Sequence, residues 1–155
     1  MRISERVDNA VRAMAVLAEA DGGLLTADSI GRSQGVSTKY LHDILRDLKR
    51  AELVRTKRGP DGGFSLSRPS DSITLADVFR AIDGPLADIH DESLRALTYA
   101  PPAESLPAVW MAIRASLRRV LETVSLADLV ANDLPADVAA LAAEYGLDTA
   151  ARHPG

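Results

Sequence analysis

The chain of 155 residues is long enough for one domain, or for a small domain with an appendage, and 46% of its residues are hydrophobic. It contains no cysteine, which excludes disulfides, thiolate metal sites and a cysteine nucleophile. The net charge of −4 is unevenly spread, because residues 1–68 hold 12 Lys/Arg against 9 Asp/Glu while residues 69–155 hold 6 against 13.

Three helices are predicted in the first fifty residues. Apolar residues at helical spacing predict a first helix over residues 7–18. Thr26 is a good N-cap for a short second helix that ends at Gly35, where a glycine tolerates the turn. Ser37 can cap a third helix that runs to about Arg50. Two short helices joined by a glycine turn are typical of a helix-turn-helix, although an ordinary helical hairpin has the same pattern.

The third helix has an apolar stripe on one side and polar residues on the other. The stripe consists of Leu41, Ile44, Leu45 and Leu48. Polar side chains near the start of such a helix can reach base edges in the major groove of DNA. We predict the following DNA-contacting residues here: Ser37, Thr38, Lys39, Tyr40, His42, Asp43, Arg46 and Arg50.

A glycine-rich hairpin is predicted directly after this helix. Residues 53–57 and 64–67 have strand character, and a turn lies between them. A basic residue at the tip of a hairpin can lie along the sugar-phosphate backbone or enter a narrow minor groove. The alternatives are a plain surface hairpin or, less well supported, a phosphate-binding loop, which lacks its usual Gly-Lys-Ser/Thr and its following helix. The predicted wing residues are Lys57, Arg58, Gly59, Pro60, Asp61, Gly62 and Gly63.

A linker over residues 68–73 leads to a fourth helix, capped by Thr74 with Asp77 in the capping-box position and stopped by Gly84. Residues 85–105 are poorly patterned and are expected to form a loop. His90 and the acidic residues around it could suggest a metal site, but one histidine is a weak signal. We therefore favour a solvated loop and predict no metal site. No arrangement of Ser, His and Asp points to nucleophilic catalysis, so we do not expect an enzyme.

A long amphipathic helix is predicted from Leu106 to about Thr123, followed by a short apolar turn to about residue 131. Its stripe can pack within the subunit or against a second copy of the chain, and its length favours some burial between subunits. A small helix from Pro135 to about Tyr145 and a frayed tail complete the chain. The predicted dimerisation residues are Leu106, Val109, Trp110, Ile113, Leu117, Val120, Leu121 and Val124.

The sequence resembles the Rrf2-type transcriptional regulators over residues 1 to about 131. The matching stretches are Gly35–Leu41, Leu53–Leu66, Ile73–Val78, Trp110 and Ser125–Val130. The resemblance implies a homodimer with its recognition helix in the major groove, its wing in the minor groove and its long helix crossing to the partner subunit. By position, it implies that Lys39, His42 and Asp43 face base edges and that Arg58 is the wing arginine.

One departure from the family pattern concerns its cofactor. Many members carry three cysteines between the fourth helix and the long helix, and they bind an iron–sulfur cluster through thiolates. This chain has none there, and a further ligand position, three residues before Trp110, is Pro107. We therefore predict no cofactor and no cluster-based sensing.

These observations predict a mainly α protein, a winged helix-turn-helix with a two-stranded β-wing and a long C-terminal dimerisation helix. The predicted parts are a DNA-binding domain (1–84), a loop or sensor-like segment (85–105), the dimerisation helix and following turn (106–131), and a small helix with a tail (132–155). The expected function is that of a DNA-binding regulator, in most such proteins a repressor, acting as a homodimer on a palindromic operator. Two alternatives stay open: a repressor gated by a small molecule bound near residues 86–110, and a winged-helix module that binds another protein.

The sequence also bears on location. Its N-terminus has no apolar segment typical of a signal peptide, and no apolar run approaches the roughly 20 residues that span a bilayer. We therefore expect a cytoplasmic protein that has double-stranded DNA as its partner and no contact with a membrane.

Overall fold

The computed structural model describes residues 3–86 and 96–152. Its elements in chain order are α1 (Glu5–Glu19), α2 (Ala27–Gln34), α3 (Thr38–Arg50), β1 (Val54–Lys57), β2 (Gly63–Leu66), a 3₁₀ turn (Ser70–Ser72), α4 (Leu75–Asp83), α5 (Leu106–Thr123), α6 (Leu126–Ala131) and α7 (Ala136–Arg152). The predicted class, mainly α with a two-stranded antiparallel wing, is confirmed. No helix in these ranges is long and apolar enough to cross a membrane.

Side-chain caps set the start of the second and third helices. The hydroxyl of Thr26 accepts a hydrogen bond from the Ser29 amide, and that of Ser37 accepts one from the Tyr40 amide. Between the two helices, Gly35 takes the left-handed conformation with φ of 67°. The predicted helix-turn-helix geometry therefore follows from local chemistry.

The core is aliphatic and is organised around α1, which contacts α2, α3, α4, α6 and β2. The predicted stripe of α3 is buried, with Leu41, Ile44, Leu45 and Leu48 at most 1% exposed. It faces Met14 and other residues of α1 in one continuous cluster. Burial of this stripe fixes which side of α3 is left for a partner.

The wing is a short hairpin whose base is tied to the helical core. Val54 pairs with Leu66 and Lys57 with Gly63, while Leu25 and Phe64 exchange both of their backbone hydrogen bonds. Ser65 of β2 is buried at 2% exposure, although it lies between the apolar residues Phe64 and Leu66. Its hydroxyl accepts a hydrogen bond from the Arg55 guanidinium, which satisfies the buried oxygen.

Two capping boxes lie side by side at the starts of α4 and α6, formed by Thr74 with Asp77 and by Ser125 with Asp128. The backbone joins them, since the Leu75 amide donates to the Val124 carbonyl and the Leu126 amide donates to the Ile73 carbonyl, each at 2.9 Å. Hydrogen bonds from Ser125 lower the pKa of the Asp128 carboxyl below its usual range. The C-terminal end of α5 is thereby attached to the first half of the chain.

The second half departs from the sequence-based expectations in two places. Val124, predicted as an interface residue, is only 2% exposed and lies in the core of its own subunit. The last helix does not end near Tyr145 but continues to Arg152, passing through Gly146. Alanine-rich sequence keeps a strong helix propensity across a single glycine. The segment around His90 lies outside the described residues.

Candidate nucleic-acid interface

The polar residues of α3 lie on the side opposite its buried stripe. At 100° per residue, Lys39, His42, Asp43, Arg46 and Arg50 fall within an arc of about 100°. All are exposed except Asp43, which is half-buried. Lys39 and His42 expose the N-terminal part of this face to solvent, and a single helix has a width that a major groove accepts.

Several of the predicted α3 residues have partners inside the protein. Tyr40 is half-buried and packs against the hydrophobic core, and the Thr38 hydroxyl donates a hydrogen bond to Asp28 of α2 at 3.3 Å. Arg46 forms an ion pair with Asp43 one turn earlier. Thr38 therefore helps to hold α2 and α3 together, and Tyr40 contributes to the hydrophobic core, whatever else they contact.

Arg50 lies at the far end of α3, about 16 Å along the helix axis from Lys39. Its guanidinium is 3.6 Å from Asp47, which also pairs with Arg6 of α1. Arg50 therefore lies outside the first turns of α3, which are the part of such a helix whose side chains reach base edges.

The turn of the wing requires glycines because neighbouring backbone atoms leave no room for a Cβ at two of its positions. A Cβ on Gly62 would stand 2.2 Å from the Lys57 carbonyl oxygen, and one on Gly63 would stand 2.7 Å from the Leu25 carbonyl oxygen. Gly59 has φ of 105° and open space around it. The exposed tip, residues 57–61, is therefore held in one shape by its own backbone.

A ring contact joins the wing to the recognition helix. The imidazole of His42 meets the Phe64 ring edge-on, with centroids 6.2 Å apart and an interplanar angle of 62°. The exposed face of α3 and the root of β2 therefore belong to one surface. Sequence reasoning placed His42 among the base-reading residues and missed this contact, because the two positions lie on different elements.

Several cations on this side of the molecule have no internal counter-charge. In residues 3–86 and 96–152, Lys39, Lys49, Lys57 and Arg58 form no ion pair, and each is exposed. Lys49 was not among the predicted contacts. Unpaired cations on one surface attract a polyanion, because their binding to phosphates releases counterions from the nucleic acid.

The long helix α5 is amphipathic, yet it contains no buried residue. Val109 is 48% exposed and Ile113 is 43% exposed. The half-buried members of the predicted stripe are Leu106, Trp110, Leu117, Val120 and Leu121. An apolar stripe of this length, left uncovered within a single chain, is typical of an interface.

A row of charged residues on α5 connects this helix to α4. Glu122 accepts hydrogen bonds from Arg118, 3.0 Å away, and from Arg80 of α4. These hydrogen bonds hold the pKa of the Glu122 carboxyl below its usual range, and the bond from Arg118 has the largest effect. The α4–α5 contact is therefore partly electrostatic.

The side chains of this chain that could ligate a metal do not fit a thiolate-ligated iron cluster. The sequence has no cysteine, and within the described ranges no three His, Asp or Glu side chains lie close enough together to share a metal ion. Iron–sulfur clusters are held mainly by thiolates, so the residues present do not supply the usual ligand set.

Sequence comparisons identify the kind of protein that has this architecture. A family profile described as "Rrf2: Iron-dependent Transcriptional regulator" matches residues 3–132. A Mycobacterium tuberculosis protein named as an HTH-type transcriptional regulator is 45% identical over 99% of this chain and 96% of its own length. The Bacillus subtilis HTH-type transcriptional regulator CymR is 31% identical over 83% of this chain and 89% of its own. The family and these relatives are regulators of transcription and not enzymes.

Solved structures of such regulators have the same winged-helix fold. The structure of B. subtilis CymR superposes with a TM-score of 0.72 at 28% identity, covering 85% of this chain and 98% of that one. T. potens IscR superposes with a TM-score of 0.66 at 28% identity, covering 85% and 88%. All of α7 lies beyond the family match, but the M. tuberculosis relative aligns over nearly the whole chain.

Proposed function

Because the chain belongs to the Rrf2 family of transcriptional regulators, we propose that it is a repressor that binds a palindromic operator as a homodimer. The observation that carries this proposal is the continuity between α3 and the wing, joined where His42 meets Phe64. Unpaired cations lie on both elements, so one side of the protomer offers positive charge to a major groove and to the neighbouring minor groove.

Within that surface, base recognition is assigned to the start of α3. Lys39 and His42 are exposed on the first turns, and Asp43 lies beside them. Lysine donates to guanine acceptors, while a carboxylate accepts from the cytosine amino group, so the two together can discriminate base pairs. Arg58 at the wing tip is assigned to the minor groove, and Arg46, Arg50 and Lys57 are assigned to phosphates.

The homodimer is supported by the uncovered stripe of α5. Burying Val109 and Ile113 against the same stripe of a second copy removes apolar surface from water, worth roughly 25 cal/mol per Å². An interface of two identical surfaces has two-fold symmetry, and this symmetry matches an operator whose half-sites lie one helical turn or a multiple apart. Val124 has no part in the interface, since it is already buried.

The proposed repressor works without an iron–sulfur cluster. The family profile is described as iron-dependent, but the ligands that hold such clusters in many members are absent from this sequence. The signal that controls operator binding is therefore of another chemical kind.

The test is a selection of bound duplexes from a random pool with the purified full chain. The proposal expects an enriched motif with two-fold symmetry, bound by a dimer in analytical ultracentrifugation, and expects repression of a reporter that carries the motif near its promoter. Lys39→Ala should lose the enriched motif, whereas Lys49→Ala should weaken binding to all duplexes alike. If no motif is enriched and duplex binding does not depend on the salt concentration, the proposal is overturned and a module that binds another protein is favoured.

A further inference from the structure

A cavity of about 530 Å³ lies where the C-terminal end of α4 meets the middle of α5. The described residues that line it are Arg80, Gly84, Pro85, Leu86, Arg114 and Arg118. Its volume is within the range of sites that bind small molecules, roughly 300–1,000 Å³. Each half of the chain contributes one wall of the cavity.

Arginine dominates the polar lining of this cavity. Arg80 and Arg118 both donate to the carboxylate of Glu122, so among these three described residues two positive charges share one negative charge. Arg114, one turn before Arg118 on the same helix, also lines the cavity and is engaged within the protein itself. Guanidinium groups bind carboxylates and phosphates through paired N–H donors, and they are more weakly hydrated than lysine ammonium groups.

We propose that this cavity binds a small anion with two or more acidic groups, carboxylate or phosphate, as the effector of the protein. The apolar walls formed by Pro85 and Leu86 leave room for a short carbon skeleton beside the acidic groups. The binding itself stands on the cavity alone, whereas its regulatory effect rests on the proposed DNA-binding function.

The position of the cavity gives binding a route to the DNA-contacting surface. α4 packs against α1 and α3 as well as against α5, so it connects the recognition helix with the helix that carries the uncovered apolar stripe. A bound anion accepts hydrogen bonds that Arg80 and Arg118 now donate to Glu122. The anion thereby replaces Glu122 as the bridge between α4 and α5, and this replacement changes the relative placement of the two recognition helices in the proposed dimer, which lowers operator affinity.

Binding is tested on the full chain without DNA, by calorimetry and thermal melting, with citrate and pyrophosphate as separate probes and sodium chloride at matched ionic strength as the reference. We expect saturable binding and a raised melting temperature with one of the two probes, which also tells whether carboxylate or phosphate is preferred. Arg118→Gln and Arg80→Gln should each weaken it at least tenfold. Arg119→Gln is the matched control, because Arg119 is the next residue on α5 and does not line the cavity.

The proposal is overturned if neither probe binds beyond the chloride reference, or if Arg119→Gln loses as much affinity as a folded Arg118→Gln or Arg80→Gln variant. The regulatory step is tested by operator binding with and without the saturating probe, where we expect at least a fivefold loss. An unchanged operator affinity with the anion bound refutes the effector role. Anion binding without any duplex binding refutes the proposed DNA-binding function and leaves the site standing.

Discussion

Arg58→Ala is the substitution that probes the wing most directly. Arg58 lies at the exposed tip of the hairpin and, within the described residues, pairs with no carboxylate. The backbone of Gly62 and the Leu25–Phe64 pairing hold the wing in shape. Removing the side chain should therefore leave the fold and its melting temperature unchanged.

The size of the expected effect follows from one lost arginine contact per protomer. Each such contact is worth about 1–3 kcal/mol, which corresponds to a factor of roughly 5–150 in operator affinity. A dimer loses two of them, and sites this far apart add approximately, so the variant should lose about 2–6 kcal/mol of binding free energy. If the guanidinium also neutralises a phosphate, the slope of log K against log salt should become shallower by about 2 for the dimer.

Fluorescence anisotropy with the selected operator between 50 and 200 mM KCl measures both quantities. Arg119→Ala is the control, since it removes an exposed arginine of α5 that is not on the proposed DNA surface. A folded Arg58→Ala variant with the affinity and the salt slope of the control would refute the assignment of the wing to DNA.

Four further outcomes are expected. Ile113→Asp should dissociate the dimer in sedimentation while the protomer keeps its circular dichroism spectrum, because this side chain is exposed in the single chain; a dimer that persists would contradict the α5 interface. Gly62→Ala should lower the unfolding free energy by about 1–3 kcal/mol in urea titrations, since its Cβ meets a carbonyl at 2.2 Å; unchanged stability would show that the turn relaxes freely. Anaerobic reconstitution with iron and sulfide should give no cluster-like visible absorption, and such a spectrum would refute the cluster-free proposal. Because the pKa of Glu122 is lowered in the folded chain, its contribution to stability is present above the unfolded value near 4.5 and is lost as the pH falls through the folded value; Glu122→Gln should flatten acid melting curves there, and identical curves would exclude this linkage.

The parts of the fold that follow from local chemistry could be predicted from sequence. Thr26 and Ser37 mark helix starts because their hydroxyls satisfy free backbone amides, and Gly35 marks the turn because it accepts a left-handed conformation. The stripe of α3 fixed its buried side, and with it the side available to DNA.

The parts that depend on contacts between distant residues could not be predicted in this way. Nothing in the residues around Val124 shows that its carbonyl accepts a hydrogen bond from Leu75, almost fifty positions earlier, so it was assigned to an interface instead of the core. The sequence places the wing glycines among the predicted DNA contacts. The structure shows that Gly62 and Gly63 are first required by the hairpin itself and by its approach to Leu25.

The candidate site shows the same division. The spacing of Lys39, His42 and Arg46 along one helix was enough to place them on one face. The contact of His42 with Phe64 and the hydrogen bond of Thr38 to Asp28 join separate elements, and periodicity within a helix does not report on them.

Because the C-terminal end of α5 is attached to the first half of the chain, a tilt of this helix moves its N-terminal end the most. The backbone hydrogen bonds of Leu75 and Leu126 hold that end, while the helix extends about 27 Å over its 18 residues. A rotation of only about 5° around the held end displaces the other end by roughly 2 Å. In the proposed symmetric dimer the two displacements add, so a small tilt next to α4 becomes a larger change in the distance between the two proposed DNA-contacting surfaces.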